Sequence, residues 1–409
     1  MKYVVTQLGA RMHYAVPSIL ENAGMLETFY TDIAASDVST LKYLPKALTR
    51  RIGGLSRLAG RSVNPAVLAR TQTFPLLGVD YALRLRLLKD PSKVFLWAAK
   101  EFAQRVIKLG FGGANAVYAF NSAALEIMTE AKKRGLRTIL EQTIAPKRTE
   151  RAILSCEREY YAAWEPNYEA RTQSLSAFEE KEDQEAVLAD QIICGSEFVK
   201  RAIEENGPHG GKCTVVPYGF DIQDPNVIPK CKPPKNGKLK VLFMGAVCLR
   251  KGAHYVAQAA AKTEKIATFS MVGPLQLSTF GGAEVSKTVK LVGPIPRREA
   301  QSYLQQSDIF LLPSLCEGSA TVCYEALAAG LPIITTENAG SVVRDGVEGY
   351  IVPLRDANAI VERIERLARD RDLLHQMSQN SRTRSTEFTT AEYGKRLLRA
   401  LEARSETSR

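Results

Sequence analysis

Two glutamates with a fixed spacing lie in a stretch of small and apolar residues, CEGSATVCYEALAAGLPIITT. Glu317 and Glu325 are eight positions apart, and apolar runs typical of strands flank the stretch on both sides. Because an unpaired buried carboxylate is costly, the pattern indicates either a structural ion pair with basic partners or contacts with a ligand. If every intervening residue is helical, the two acids are about 12 Å apart along the axis. That distance approaches the span between two sugars joined by a diphosphate.

Two adjacent cations follow another strand-like run, LKVLFMGAV. The strand is predicted to end near Gly245, and Arg250 and Lys251 stand where the next helix begins. A basic pair beside the backbone N–H groups of a helix start forms an anion site, and phosphate is a natural occupant. The spacing differs from the GxxxxGK[ST] pattern of a P-loop. The alternative interpretation is a basic pair on an exposed loop.

Further groups suited to ligand contact follow three predicted strands. Two of the strands end in Gly-Pro, at Gly273 and before Pro294-Ile295, where glycine permits close backbone approach and proline is rigid. Such turns could seat a planar base, although glycine is common after strands. Gly318, Ser319 and Ala320 lie at a predicted helix start, where backbone N–H donors are available.

Composition excludes several classes of protein. The chain has 409 residues, 45% hydrophobic and 24% charged, which is ordinary for a globular protein and favours two domains. No apolar run reaches the roughly 18 residues typical of a membrane span, and the start of the chain does not resemble a signal peptide. The seven cysteines and four histidines are scattered, so we expect reduced structural thiols, no metal site and cytoplasmic residence.

The net charge of +11 is concentrated near the N-terminus. Residues 1–110 carry 16 Lys and Arg against 7 Asp and Glu, and residues 38–79 contain seven bases and no acid. Part of this region has a helical pattern with bases on one side. The bases of residues 42–70 therefore indicate either a solvated face or an anchor for an anionic membrane surface or acceptor. We expect no nucleic-acid partner, since aromatic and basic residues are not interleaved.

The elements that must position these groups form two successive alternations of strands and helices. KYVVTQL, NAVYAF, LRTILEQ and DQIICGS are predicted strands of the first half, with helices at 94–108, 123–134 and over the charged stretch 151–190. A Pro-, Gly- and Lys-rich stretch at 214–238 then precedes five more strands. This order predicts an α/β protein with two doubly wound, Rossmann-like domains facing across a cleft.

The ordered motifs resemble those of a known family. EGSATVCYE is an E-x7-E motif that continues into EALAAGLPIITT, and it accompanies FMGAVCLRKG, VVPYGFD and AGSVVRDGVEGYIVP. Together, over about residues 190–400, they resemble the retaining GT-B glycosyltransferases of family 4, also called glycosyltransferase group 1. The resemblance implies domains at 1–218 for the acceptor and 219–385 for a nucleotide-sugar donor. It also implies that a C-terminal helix, 386–409, crosses back onto the first domain.

The resemblance also implies roles for the residues named above. Glu317 would contact the donor sugar, and Glu325 the ribose hydroxyls. Lys251, with Arg250, would neutralise the departing diphosphate without a metal ion, and the backbone near residues 318–320 would hold the sugar or phosphate. Gly245, at the end of the strand beside them, would be among the donor-binding residues. The turns at Gly273 and Pro294-Ile295 would seat the base.

The first half departs from the family pattern at the donor side. Ala246 replaces a frequent arginine, and no histidine follows LRTILEQ, where Gln142 stands instead. The first loop holds Gly9, Arg11 and His13, and each of these is a candidate contact in the first domain. His13 is alternatively a loop-packing histidine.

The resulting expectation is a hexosyltransferase. It would move a hexose from a UDP- or GDP-sugar to a glycan or lipid-linked acceptor, in cell-surface polysaccharide or glycolipid biosynthesis, with retention of configuration and no cofactor. The basic region adds the alternative of peripheral attachment to the inner face of the plasma membrane. Other functional hypotheses are a non-catalytic nucleotide-sugar-binding protein and a GT-B epimerase. A phosphorylase is disfavoured, because no motif for a pyridoxal lysine is present.

Overall fold

Two parallel sheets, one after the other along the chain, form the framework of the protein. The computed structural model describes residues 1–34, 61, 63–88, 90–166, 174–221 and 237–403. Within these ranges the first sheet has seven strands in the order β3-β2-β1-β4-β5-β6-β7, and the second has six in the order β10-β9-β8-β11-β12-β13. Neighbouring strands pair in parallel in both sheets. The fold class expected from the sequence is therefore confirmed.

The first sheet is covered by helices on both faces. Its strands are β1 (Tyr3–Gln7), β2 (Leu26–Thr31), β3 (Thr71–Thr73), β4 (Ala116–Phe120), β5 (Arg137–Gln142), β6 (Gln191–Cys194) and β7 (Cys213–Val215). The accompanying helices are α1 (Ala15–Asn22), α2 (Pro65–Leu68), α3 (Pro75–Leu87), α4 (Pro91–Leu109), α5 (Leu125–Lys133), α6 (Lys147–Tyr160), α7 (Leu175–Leu188) and α8 (Glu197–Glu205). Every residue of β1 and β4 is buried, as expected for central strands of a doubly wound sheet.

The second sheet repeats this plan. Its strands are β8 (Leu239–Met244), β9 (Ala267–Val272), β10 (Lys290–Gly293), β11 (Ile309–Leu312), β12 (Ile333–Thr335) and β13 (Gly349–Ile351). The helices are α9 (Ala253–Thr263), α10 (Thr279–Ser286), α11 (Arg297–Gln306), α12 (Thr321–Ala328), α13 (Ala357–Arg369), α14 (Arg371–Ser385) and α15 (Thr390–Ala403). Strand order reverses between β8 and β11, so ligand groups are expected at the carboxyl ends of these two strands.

The last helix, α15, packs against the first sheet. Leu397 and Leu401 share a buried core with Tyr3 and Val5 of β1. The guanidinium of Arg396 donates hydrogen bonds to the carbonyl of Pro217 in the segment that leads away from the first sheet. The domain boundaries at 218/219 and 385/386 stay predictions, and both lie outside the strands of the two sheets.

Helix α6 lies between β5 and β6 of the first sheet along the chain, but it packs on the second half of the chain. Leu154 is buried among core residues of the second sheet. One turn later, Glu157 accepts hydrogen bonds from Tyr255 (2.9 Å) and from Arg355 (2.5 Å), and its Oε2 lies 2.7 Å from Nε2 of His254. Because Glu157 is almost fully buried, this cluster joins α6 to α9 and to the loop after β13.

Several sequence predictions of elements were incomplete. The charged stretch 151–190 is divided between α6 and α7, and the helical pattern is interrupted before Pro166, which disfavours helix in its neighbour. Strands β2, β3, β7 and β13 were missed, because they are short or carry polar residues in place of an apolar run. Of the bases predicted at 42–70, those up to Arg57 lie outside the described residues, whereas Arg61 pairs with Asp32 and Arg70 with Glu21.

Candidate functional site

The candidate site lies where the ends of β8 and β11 meet. β11 pairs directly with β8, so the loops that follow the two strands are neighbours. The backbone N–H of Leu315 donates to the carbonyl of Arg250 (2.9 Å), which ties the two loops together. The Arg250-Lys251 pair and Glu317 are therefore held on one edge of the sheet, as the sequence predicted for ligand groups.

One carboxylate oxygen accepts hydrogen bonds from both cations. Oε1 of Glu317 lies 2.7 Å from Nη1 of Arg250 and 2.6 Å from Nζ of Lys251. Nη1 of Arg250 also donates to the carbonyl of Cys316 (2.7 Å). The side chains of Lys251 and Glu317 are each 12% exposed, and that of Arg250 is 25% exposed. The arrangement is a largely buried cluster with one more positive than negative charge.

Burial and pairing have opposite effects on these groups. Burial alone would raise the pKa of Glu317, but the charges of Lys251 and Arg250 lower it below its usual value. Burial would lower the pKa of Arg250, and the carboxylate of Glu317 raises it instead. Glu317 and Arg250 are therefore both ionised at neutral pH. An anion that enters this edge meets two cations that share the carboxylate of Glu317.

Glycines give the lysine and its neighbours room. Gly245 has φ 139°, and a Cβ there would lie 3.0 Å from Cδ of Lys251, so the lysine side chain crosses directly over this glycine. Gly273, at the end of β9, has φ 142°, and a Cβ there would lie 2.0 Å from the carbonyl oxygen of Gly245. Its N–H donates to the carbonyl of Gly293, so three strand ends meet in a row of close backbone contacts.

The loop that carries Glu317 touches the first half of the chain. Gly318 forms an isolated antiparallel bridge with Ile144, just after β5, and the N–H of Ala145 donates to the carbonyl of Glu317 (3.3 Å). A Cβ at Gly318 would lie 1.8 Å from the carbonyl oxygen of Thr143. The hydroxyl of Ser196 donates to the carbonyl of Gly318. Only glycine fits between these two backbones.

The start of α12 is fixed by its own contacts. Ser319 is buried, and its hydroxyl oxygen lies 2.7 Å from that of Tyr324. The N–H of Ala320 donates to the carbonyl of Ala339 (3.1 Å). The helix begins at Thr321, so residues 317–320 form a loop, and the 12 Å spacing of a continuous helix does not apply. Glu325 is partly buried within α12, one turn from its start.

Candidate residues of the first half lie at the ends of β1 and β5. Nη1 of Arg11 donates to Oγ1 of Thr143, and the N–H of Gly9 donates to Oδ1 of Asp32 (3.0 Å). His13 is exposed and has φ 49°. Gln142 is buried, and its amide donates to the carbonyl of Ile144 within the same turn. Arg11 is thus joined, through Thr143, to the segment that meets Gly318.

Three consecutive non-glycine residues of the first loop have positive φ. The angles are 46° at Met12, 49° at His13 and 61° at Tyr14. Non-glycine residues rarely adopt this conformation, and such strain is concentrated at functional sites. The sequence singled out His13 as a candidate contact, but it gave no sign that the backbone here has positive φ.

The structure separates some candidates that the sequence grouped together. Pro294 is exposed and Ile295 partly buried, both after β10 at the far edge of the sheet, two strands from β8. Sequence reasoning did not single out Ser196, which binds the Gly318 carbonyl. A serine that starts a helix after a strand is a usual N-cap, so its second contact has no sequence signal. Glu141, beside Gln142, turns away from the site and accepts hydrogen bonds from Tyr118 and Tyr218.

The described residues do not meet the requirements of a metal site, a membrane span or a disulfide bond. No group of three or more His, Cys, Asp or Glu side chains in them is placed to hold a metal ion. None of their helices is long and apolar enough to cross a membrane. The six cysteines in these ranges form no disulfide.

Comparison with known proteins assigns a family to the second half. Residues 227–384 match the family Glycosyl transferases group 1. The chain carries a glycosyltransferase group 1 domain. This match confirms the resemblance of this half to glycosyltransferase group 1 that was found in the sequence. The matched residues include every candidate residue of the second sheet.

Curated relatives are similar over part of their length. The amylovoran biosynthesis glycosyltransferase AmsK of Erwinia amylovora is 37% identical over 102 residues, which are 23% of this chain and 25% of AmsK. The capsular polysaccharide biosynthesis glycosyltransferase CapM of Staphylococcus aureus is 26% identical over 217 residues, 48% of this chain and 57% of CapM. The matched segments thus span from about a quarter to just over half of these relatives.

Solved structures are similar over the whole chain. Anabaena HepE in complex with UDP-glucose has a TM-score of 0.61 at 14% identity and covers 98% of this chain and 100% of its own. Sucrose-phosphate synthase of Thermosynechococcus elongatus has a TM-score of 0.60 at 14% identity, with full coverage of both chains. At this identity the likeness shows the fold alone, which is the GT-B fold of two parallel-sheet α/β domains.

Proposed function

We propose that the protein is a retaining glycosyltransferase of family 4. It transfers a hexose from a UDP- or GDP-sugar to a glycan or lipid-linked acceptor, in cell-surface polysaccharide or glycolipid biosynthesis. The observation that carries this proposal is the convergence of Arg250 and Lys251 on Glu317 at the carboxyl edge of the second sheet. The roles of AmsK in amylovoran biosynthesis and of CapM in capsular polysaccharide biosynthesis support the place in polysaccharide biosynthesis, and the UDP-glucose complex of HepE supports the donor class.

In this proposal the donor lies along the edge between β8 and β11. Its diphosphate binds Lys251 and Arg250, and its sugar lies against the carboxylate of Glu317. Arg250 supplies the positive charge in place of the arginine that the family resemblance implies at the position of Ala246. Glu325 binds the ribose, and the turns at Gly273 and Pro294-Ile295 hold the base.

The chemical step is a substitution at the anomeric carbon. The bond from that carbon to the diphosphate oxygen breaks, and the acceptor hydroxyl oxygen bonds to the carbon on the same face. The acceptor proton passes to the leaving phosphate. Lys251 and Arg250 stabilise the negative charge that grows on the diphosphate, in a site that excludes most water. Because two protein cations supply this charge, we propose that no metal ion is required.

The first domain completes the site from the opposite side. The segment Thr143–Ile144 meets Gly318 directly, so the donor sugar would lie beside this contact and the acceptor hydroxyl would approach between the two sheets. Arg11, bonded to Thr143, and the strained loop with Gly9 and His13 are the proposed contacts on this side. Gln142 shapes the same turn through its bond to Ile144.

The test is a donor panel with a charge-neutral variant. The protein is incubated with UDP-glucose, UDP-galactose, UDP-N-acetylglucosamine and GDP-mannose, and released UDP or GDP and thermal shifts are measured. We expect one donor to bind and to turn over with an acceptor extract, and Lys251→Ala to abolish turnover. Lys287→Ala is the matched control, because Lys287 forms an exposed pair with Glu284 in the same domain.

Three outcomes would contradict the proposal. Failure to bind any nucleotide sugar removes its basis. Tight donor binding with no turnover on any acceptor would favour the non-catalytic binding protein. Conversion of the donor sugar in the absence of acceptor would favour the epimerase.

A further inference from the structure

Helix α3 is apolar on two opposite faces. Leu77 and Gly78 face inward, and a Cβ at Gly78 would lie 2.8 Å from Ile33. Four side chains on the other face are exposed: Leu76 by 86%, Val79 by 50%, Leu83 by 51% and Leu87 by 78%. We call these four residues the α3 stripe.

The α3 stripe is unusual for a helix on the surface of a protein. Its spacings of three, four and four residues place all four side chains on one side of the helix. A surface helix normally carries polar residues opposite its core face, and helices that are apolar all round are buried or contact a membrane. Isolated exposed leucines need no explanation, but a continuous stripe marks an interaction surface.

The charges around the α3 stripe favour an anionic partner. Arg86 is exposed beside the stripe, and Lys93 is exposed at the start of α4, the helix that packs against α3. On the other flank, Arg84 pairs with Asp80. Residues 1–110 as a whole carry 16 bases against 7 acids. An apolar stripe with basic surroundings matches the chemistry of a membrane interface that contains anionic lipids.

The α3 stripe also lies close to the mouth of the proposed acceptor side. The N–H of Phe74, just before α3, donates to the carbonyl of Asp32 after β2 (2.8 Å). Asp32 in turn accepts from the N–H of Gly9, in the loop that carries Arg11. The start of α3 therefore lies beside the loops that follow β1 and β2, with its core face toward the protein and the stripe outward.

We infer that the α3 stripe inserts into the interface of an anionic membrane and orients the cleft toward an acceptor held in that membrane. Leu76, Leu83 and Leu87 enter the boundary between headgroups and acyl chains, and Arg86 remains at the level of the phosphates. The α3 stripe comes from a different segment of the sequence than the basic residues at 42–70. The role of the membrane in presenting the acceptor rests on the proposed function, whereas membrane binding itself does not.

The experiment is co-sedimentation of the full chain with vesicles. Vesicles of phosphatidylcholine alone and of phosphatidylcholine with 30% phosphatidylglycerol are compared for wild type and for Leu83→Ser/Leu87→Ser. Since two leucines lose the burial of their side chains, we expect about a tenfold or larger loss of affinity for the anionic vesicles. Val187→Ser is the control, because Val187 is 61% exposed on α7, away from the stripe.

Donor binding separates this inference from the proposed function. The double variant should keep the thermal shift of wild type with the active nucleotide sugar, which also shows that it folds. Wild type that binds neither vesicle, or a double variant that binds as well as wild type, would overturn the inference. A wild-type dimer that becomes a monomer in the double variant would also overturn it, since a second copy of the chain would then cover the stripe.

Discussion

Replacing Glu317 by alanine tests the charge arrangement at the centre of the site. The variant leaves Arg250 and Lys251 without the oxygen that each contacts within 2.7 Å. Removing one partner of a buried ion pair costs about 3–5 kcal/mol. Because the side chain of Arg250 is 25% exposed, we expect the lower end, about 3 kcal/mol. For a domain of this size that loss lowers Tm by about 6–12 °C.

The same variant should bind a nucleoside diphosphate at least as tightly as wild type. UDP contains the diphosphate but not the transferred hexose. It therefore competes with Glu317 for the two cations, and it loses no contact when the carboxylate of Glu317 is removed. At 100 times its Kd, a ligand stabilises the folded protein by about 2.7 kcal/mol. UDP should therefore raise the Tm of Glu317→Ala by as much as that of wild type or more, while donor turnover is lost.

Thermal unfolding with and without UDP, and calorimetric titration of UDP, measure both effects. Glu337→Ala is the matched control, because Glu337 is 65% exposed in its pair with Arg201 and surface pairs contribute little. An unchanged Tm for Glu317→Ala would show that the ion cluster does not stabilise the fold. Loss of UDP binding in this variant would show that the cations do not serve the diphosphate.

Three further predictions concern the packing, titration and metal requirement of the protein. Gly318→Ala should reduce turnover at least about tenfold, since its Cβ would meet the backbone of Thr143 at 1.8 Å. Gly211→Ala is the control and should match wild type, because a Cβ there has open space around it. A Gly318→Ala variant that turns over as fast as wild type would refute the close contact. Burial raises the pKa of Glu141 to about 7 although Tyr118 and Tyr218 donate hydrogen bonds to it. Between about pH 4.5 and 7 the carboxyl is therefore ionised in the unfolded state but still protonated in the folded state, so the free energy of unfolding falls as the pH rises over this interval. Glu141→Gln should therefore gain stability relative to wild type over that interval in denaturant titrations, and a constant difference would contradict this. Turnover should be unchanged after dialysis against EDTA, whereas loss of activity that Mg²⁺ or Mn²⁺ restores would refute the metal-independent proposal.

The sequence predicted much of the fold because its signals are local. Central strands such as β1 and β8 are short apolar runs between turn residues, and their ends were placed within a few residues. The order of strands and helices then leaves few topologies. β3 and β13 lack such a signal, because an edge strand of three residues takes its conformation from its neighbour. The division between α6 and α7 was missed because both helices have the same charged composition.

The site was predictable in its parts but not in its pairing. The strand-end rule places Gly245, Lys251 and Glu317 on one edge, yet no sequence pattern tells that both cations bind one oxygen of Glu317. That contact depends on the register of β11 against β8. The contact of Gly318 with Ile144 joins residues from the two halves of the chain, so it requires the arrangement of both sheets. Likewise, nothing in LRTILEQT shows that Glu141 points to Tyr218 while Thr143 faces Arg11.

The pairing gives Glu317 two successive roles in the proposed reaction. Without donor, its carboxylate balances the charge of Lys251 and Arg250 and so stabilises two largely buried cations. A bound diphosphate supplies that negative charge itself, and the carboxylate is then released to accept hydrogen bonds from the sugar hydroxyls. One residue thus keeps the empty site stable and becomes available as a sugar ligand only when the diphosphate is present. A sugar without its diphosphate would have to compete with two cations for the same oxygen, so we expect free hexose to bind poorly.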